Sequence, residues 1–258
     1  MGKCVQKILK IRDINQNSRF EIFLPDNDIN CAYPDFIGEF SMKDKFGIGR
    51  IVRAKTISDA WYRGLNIIQN HGQVITDERG SQIREFMDLM IVIEDPYTNR
   101  IPHETAWNEE RLEEYAKQLI SGENIQDFEY TYGQRLRNWH GKVDQIEYVI
   151  EKLQESPTSR RAIAITWIPP VDMKINEVPC MMLDDFKIRD GKIHLTTLFR
   201  SHDFGGAYPA NLYGLSKLLE YVADRVGTEP GTITTISISA HVYDHDWDMV
   251  ENIVKGVN

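Results

Sequence analysis

The chain has 258 residues, of which 41% are hydrophobic, 10% aromatic and 27% charged, a globular composition with enough apolar material for a full core in one large domain or two small ones. Lys and Arg number 30 against 39 Asp and Glu, a formal net charge of -9, so the bulk field repels polyanions and argues against a phosphate-coating surface for nucleic acid. No run approaches the ~18 apolar residues of a membrane span, no charged leader precedes an apolar stretch at the N-terminus, and Cys4, Cys31 and Cys180 lie far apart with no CxxC pair. A reducing, cytoplasmic setting follows, with neither a disulfide scaffold nor a closed zinc site.

In chain order, residues 1–55 mix short apolar runs (Phe20 to Leu24, Ile48 to Val52) with turn clusters such as Asp26-Asn27-Asp28. This pattern predicts a β-rich N-terminal extension packed on a main body of residues 56–258. From Ser58 the spacing of Trp61, Leu65 and Ile68 predicts a helix stopping near Gly72. Leu89 to Glu94 is an apolar run of strand length, and a helix is expected over Glu109 to Ile120. Asp144 with Glu147 three residues on opens a helix whose stripe is Ile146, Val149, Ile150 and Leu153, ended by Pro157. Ala162 to Trp167, Ile193 to Phe199 and Thr232 to Ser239 read as strands rich in β-branched residues. Between the last two, Leu212, Leu215, Leu219, Val222 and Val226 mark a long helix from about Ala210, closed by Gly227. Long helices interleaved with several strands, without regular βα alternation, give an α+β or mixed α/β domain.

Several residues have the chemistry of a site. Cys180 follows Pro179 on a loop, a placement suited to a nucleophilic thiol, although a bare Cys is more often a small buried core residue. Arg160-Arg161 offers two guanidinium forks to a phosphate, or is a solvated surface feature. Arg200-Ser201-His202-Asp203 places a guanidinium, a hydroxyl and a carboxylate at one strand end. In Asp77-Glu78-Arg79-Gly80-Ser81 the glycine would let backbone amides approach an anion. His241 and Tyr243, two apart on a strand, share one face and suit a sugar hydroxyl or a structural contact. Asn211 stands near a helix start, where capping is the simplest role. Asp244-His245-Asp246 reads as a solvated turn, no metal-ligand spacing is present, and neither GxGxxG nor GxxxxGK[ST] occurs.

Taken together the motifs resemble the thymidylate synthase family of pyrimidine methylases and hydroxymethylases. They are Tyr132-Gly133-Gln134-Arg135-Leu136-Arg137-Asn138-Trp139, Ser159-Arg160-Arg161, Val178-Pro179-Cys180, Asp190-Gly191-Lys192, Phe199-Arg200-Ser201-His202-Asp203, Pro209-Ala210-Asn211 and Ala240-His241-Val242-Tyr243, in the family's order. The resemblance runs from about Ser58 to Tyr243. It implies an α+β fold with a large mixed β-sheet packed with long helices, a sheet face forming a homodimer interface, and a methyltransferase reaction: reductive methylation of dUMP to dTMP through a cysteine adduct at pyrimidine C6. It further implies Cys180 as nucleophile with Arg200 favouring the thiolate, and substrate phosphate on Arg79, Arg200, Ser201 and the second copy's Arg160 and Arg161. Asn211 would read the uracil edge, His241 and Tyr243 the deoxyribose 3′-hydroxyl, Asp203 the pterin, and Tyr132 would belong to a proton-transfer network. The co-substrate would be 5,10-methylene-tetrahydrofolate or methylene-tetrahydromethanopterin, with no metal, no membrane and no nucleic-acid partner.

The chain departs from the common pattern in several places. Met181 replaces the usual His and Asp185 the usual Gln, and the tryptophan pair that packs on the pterin is missing, with Phe128 or Tyr130 as substitutes. Glu113 and Glu114 both compete for the place of the active-site glutamate, and the sequence stops fifteen residues after Tyr243, short of the usual closing tail. These features resemble a short archaeal branch. They keep open a pyrimidine nucleotide hydroxymethylase (on dUMP, dCMP or CMP), in which water replaces hydride, and a non-catalytic nucleotide- or RNA-binding homologue.

Overall fold

The computed structural model describes residues 7–12, 19–24, 48–122 and 130–256. The chain divides into two compact units, Met1–Lys43 and Asp44–Asn258. In the first, strands β1 (Lys7–Arg12) and β2 (Arg19–Leu24) pair antiparallel with Lys7 opposite Leu24; β2 contains the strand expected over Phe20 to Leu24. The expected turn at 26–28, Cys4, Cys31 and Phe128 lie outside the described residues.

The second unit opens with β3 (Ile48–Ala54), α1 (Ile57–His71), β4 (Gln73–Thr76) and β5 (Gln82–Ile93). Thr56 caps α1 by accepting from the Asp59 amide, and Gly72 closes it, as the apolar spacing anticipates. Next come α2 (Glu109–Ser121), α3 (Tyr132–Arg137) and α4 (Gln145–Glu155), each capped at its N-terminus by a side chain: Asn108, Thr131 and Asp144. Gly133 is where α3 meets α2, and a Cβ there would collide with the Gln118 carbonyl. The rest is β6 (Ile163–Ile165), the short α5 (Pro169–Asp172), β7 (Met181–Arg189), β8 (Lys192–Phe199), β9 (His202–Asp203), α6 (Tyr208–Val226), β10 (Glu229–Tyr243) and α7 (Trp247–Gly256). Gly227 at φ 80° ends α6 in the left-handed conformation that glycine adopts without cost.

Eight strands form one mixed sheet in the order β3-β5-β10-β8-β7-β6, with β4 added on β5 and β9 on β10, the α+β architecture expected. Register fixes its two faces. One transverse row, Ile91, Thr235, Thr197, Asp184 and Ala164, crosses from β5 to β6 and is wholly buried. The next row on that face, Ile93, Ile233, Leu195 and Phe186, is apolar core shared with Trp61, Leu65 and Leu219. The opposite face carries a row running through Ile51, Met90, Ile236, Leu198, Leu183 and Ile165. Every member is apolar, none is buried, and Ile51 is 69% exposed. Among the described residues no helix is long and apolar enough to cross a membrane.

Strand directions gather one set of residues at one end of the sheet. β8 and β10 are parallel, while β7 and β5 run against them. The ends of β8 and β10 and the starts of β7 and β5 therefore share an edge. Arg200, His241, Tyr243, Cys180 and the β4–β5 turn carrying Arg79 all lie there.

Candidate active site

Cys180 immediately precedes β7, and Arg200, the residue after β8, wraps the turn that presents it. The Arg200 amide donates to the Cys180 carbonyl at 2.9 Å, Nε to the Pro179 carbonyl at 2.9 Å and Nη2 to the Val178 carbonyl at 2.8 Å, with Nη2 3.8 Å from Cys180 Sγ. Burial pushes the thiol up from its ordinary pKa. The Arg200 charge, a Ser201 hydrogen bond and the Arg79 charge pull it back down, Asp203 adds to the rise, and the net shift is upward.

Tyr132, the first residue of α3, accepts the Met181 amide on its hydroxyl at 3.2 Å. The Tyr130 ring packs edge-on at 5.8 Å. Burial drives the Tyr132 hydroxyl well above the usual phenol range. Met181 is enclosed in the core at 1% exposure.

Asn211 lies one turn inside α6. Ala207 occupies the cap position, with Pro209 in the first turn, so Asn211 does not cap the helix. Its Nδ2 donates to the Tyr115 hydroxyl of α2 at 2.6 Å. Of the neighbouring acids on α2, Glu113 is bound to Tyr213 and to Lys217 at 2.8 Å, while Glu114 is exposed. The α2 side chain that reaches Asn211 is thus a tyrosine. Trp107 stacks edge-on to Tyr115 at 6.2 Å and donates Nε1 to the Gly206 carbonyl at 2.8 Å. The Gly205 and Gly206 amides in turn converge on Asp203 Oδ1 at 3.0 and 3.1 Å.

β9 pairs with β10 so that Asp203 is opposite His241. His241 is buried, with its ring perpendicular to Tyr243 at 5.1 Å. The Tyr243 hydroxyl is pushed up by burial and then by the charges of Asp203 and Asp77, against the pull of Arg79. Tyr243 also stacks on His245 at 5.5 Å, so the turn at 244–246, a 3-10 turn, packs one ring against the site. Next to His241, His202 is fully enclosed, stacked on Phe199 at 3.7 Å and bonded to Ser237 at 2.9 Å.

Arg79 sits in the β4–β5 turn, which Asp77 organises by accepting the Arg79 and Ser81 amides at 3.0 and 2.8 Å around Gly80 at φ 84°. Its guanidinium is held by both Glu177 oxygens, at 2.7 and 2.9 Å. That carboxylate, three residues before Cys180, ties Arg79 to the approach to the thiol. Arg160 and Arg161 are exposed and lie elsewhere. They precede β6, whose Ile163 faces Asp185, so Arg161 falls near the level of Lys187, roughly 20 Å along β7 from Cys180 at 3.3 Å per residue. Among the described residues no group of three or more His, Cys, Asp or Glu is arranged to hold a metal ion.

Sequence reasoning missed Tyr115, Trp107 and Glu177. Tyr115 and Trp107 look like ordinary packing aromatics in the chain, and Glu177 sits in a loop whose partner is 98 positions away.

The sequence profile of the family described as thymidylate synthase matches residues 80–256. A Methanosarcina barkeri protein bearing the name "Putative thymidylate synthase" is 93% identical over 217 residues, 84% of this chain and 100% of that protein. One from Methanosarcina acetivorans with the same name is 88% identical over the same shares. One from Methanothermobacter thermautotrophicus is 41% identical over 219 residues, 79% of this chain and 98% of that protein. These matches are to a family whose name implies a methyltransferase enzyme. The chain belongs to the thymidylate synthase family.

Proposed function

We propose that this chain is a cytoplasmic enzyme that reductively methylates dUMP to dTMP. The observation that carries the reading is Cys180 Sγ at 3.8 Å from Arg200 Nη2, on the sheet edge shared with Arg79, Asp203, His241 and Tyr243. Cys180 gives up its S–H proton to water and the thiolate adds to pyrimidine C6: the S–C6 bond forms and the C5–C6 π pair moves toward C5 and O4, making C5 a nucleophile. Substrate phosphate binding beside Arg200 and Ser201 would replace Glu177 on Arg79. Asn211 reads the base edge with its amide, His241 and Tyr243 hold the sugar, and Tyr132 belongs to the proton network. A methylene-carrying reduced pterin, tetrahydrofolate or tetrahydromethanopterin, supplies the carbon and then the hydride. Asp203 and the flat rings of Trp107 and Tyr130 suit such a bicyclic ring. No resident metal enters this scheme.

The working unit in this reading is a homodimer. The apolar row from Ile51 to Ile165 is a face of the kind that a second copy covers. Arg160 and Arg161 cannot reach their own chain's Cys180, but a partner packed on that face could present its pair to the phosphate.

Incubation with dUMP, dCMP, UMP or CMP tritiated at C5, plus either methylene pterin, tests the reading, with product mass as the second readout. Tritium release with a methyl product from dUMP is expected. A hydroxymethyl product would establish the hydroxymethylase instead, and nucleotide binding without release would leave a binding homologue.

A further inference from the structure

A neutral histidine carries one N–H proton, and the nitrogen that holds it is set by what surrounds the ring. His241 is 3% exposed, and two oxygens lie beside its Nδ1, the Ser239 carbonyl at 3.2 Å and the Ser239 hydroxyl at 3.4 Å. A carbonyl only accepts. A serine hydroxyl can do either, and if it donated to Nδ1 the ring proton would be forced onto Nε2. Strand β5 removes that choice. Glu85 lies directly opposite His241 in the β5–β10 register, and its Oε1 accepts the Ser239 hydroxyl at 2.5 Å. With its one proton spent on a carboxylate, the Ser239 hydroxyl can only accept at Nδ1. Both neighbours of Nδ1 are then acceptors, so the ring proton stays on Nδ1 and Nε2 keeps its lone pair.

That assignment complements the other side chain placed at the sugar. The Tyr243 ring stands perpendicular to His241 at 5.1 Å, and its hydroxyl keeps its proton at neutral pH, burial pushing its pKa further up. An alcohol has one proton to give and lone pairs to fill. His241 Nε2 takes the proton and the Tyr243 hydroxyl donates to a lone pair, so acceptor and donor together match one free hydroxyl.

We propose that Glu85 is a positioning residue for the sugar: by holding the Ser239 hydroxyl proton it fixes His241 as a hydrogen-bond acceptor, and so selects nucleotides whose 3′ substituent can donate a proton. The proposal rests on the dUMP reading above, in which His241 holds the 3′-hydroxyl. Glu85 has no contact with substrate in this scheme and acts through Ser239 and His241.

The test has two readouts in the full chain. The His241 tautomer is read without nucleotide from its ¹⁵N resonances at pH 8, and affinity is read by calorimetry for dUMP and for 2′,3′-dideoxyuridine monophosphate, which lacks the hydroxyl. Wild type should show a protonated Nδ1 with a bare Nε2, and should bind dUMP more tightly than the dideoxy nucleotide. Glu85→Met keeps the side-chain length but frees the Ser239 hydroxyl to donate. It should move the ring proton toward Nε2, weaken dUMP by roughly 3- to 10-fold and leave the dideoxy nucleotide unchanged. Adding Ser239→Ala takes the competing donor away and leaves the carbonyl, so Glu85→Met/Ser239→Ala should regain both the wild-type tautomer and near wild-type dUMP affinity. A merely structural Glu85 would not be rescued by a second truncation. A protonated Nε2 in wild type, an absent or equal loss for the two nucleotides in Glu85→Met, or no recovery in the double variant overturns the proposal. If the tautomers behave as expected and wild type binds both nucleotides alike, His241 does not hold the 3′-hydroxyl, and the reading beneath the proposal fails together with the selection built on it.

Discussion

The guanidinium of Arg200 serves Cys180 twice: two of its nitrogens hold the carbonyls of Val178 and Pro179, and one of these also stands 3.8 Å from the thiol. Burial raises the Cys180 pKa and Arg200 opposes that rise, so removing the charge must raise it further. Alkylation by iodoacetamide should therefore move to higher pH in Arg200→Gln than in wild type. The sign is fixed because only the thiolate reacts. An unchanged or lowered alkylation pKa would remove Arg200 from this role.

Glu177 occupies Arg79 where a phosphate is proposed to sit. Each side chain of the pair is 57% exposed, and such pairs contribute ~0.2–1 kcal/mol. Glu177→Gln should accordingly tighten dUMP binding by about 2- to 5-fold, read by calorimetry at low salt, while leaving uridine binding unchanged. Weaker dUMP binding would show that Glu177 helps the site instead of competing in it.

Asn211 donates one Nδ2 hydrogen to Tyr115, which leaves its second amide hydrogen and its carbonyl for the O4 and N3–H of a uracil edge. Replacing the amide by a carboxylate suits the exocyclic amine of cytosine. Asn211→Asp should shift kcat/KM from dUMP toward dCMP, and an unchanged ratio would take base reading away from this residue.

The dimer has its own test. Cys180→Ala and Arg160→Ala/Arg161→Ala chains should each be nearly inactive alone. Mixed as subunits they should recover about a quarter of wild-type activity, since half of a random mixture is heterodimer and each heterodimer rebuilds one of two sites. No recovery on mixing would place the arginine pair outside the active site.

Arg135 and Asp172 form a buried bidentate ion pair at 2.8 and 3.1 Å, with the guanidinium over the rings of Tyr130 at 5.5 Å and Trp139 at 4.7 Å. Asp172 also accepts the Ile168 amide at 2.5 Å, which fixes the start of the segment leading to Cys180. Asp172→Ala should cost ~3–5 kcal/mol in urea unfolding because it strands a buried charge, and the double change Arg135→Met/Asp172→Leu should recover most of it. Equal losses in both variants would contradict that accounting.

The helices were legible where a cap and an apolar stripe coincide: Asp144 with Ile146, Val149, Ile150 and Leu153 marks α4 to within a residue, and Gly227 marks the end of α6. β7 was not legible, because Asp184 and Asp185 are adjacent acids of opposite fate. Asp184 turns to the sealed core while Asp185 pairs with Lys187 on the other face, and no local pattern distinguishes them. The α7 stripe of Trp247, Val250, Ile253 and Val254 has helical spacing, yet it is short and follows a polar cluster. At the site, Cys180, Arg200, Asp203 and Asn211 stand in recognisable short motifs. Tyr115 does not, since its role comes from meeting Asn211 across 96 positions of chain.

The wholly buried row of Thr235, Thr197 and Asp184 has a consequence for motion. These positions belong to the central strands of the sheet, whose amides should be the last to exchange with deuterium, opening only with the whole unit. A nucleotide therefore cannot enter by local fraying of the floor beneath it. Entry falls to the helical wall, where α2 and α3 carry Tyr115, bonded to Asn211, and Tyr132, bonded to the Met181 amide. Deuterium uptake that slows on nucleotide addition should appear in those two helices first, with β7, β8 and β10 already silent.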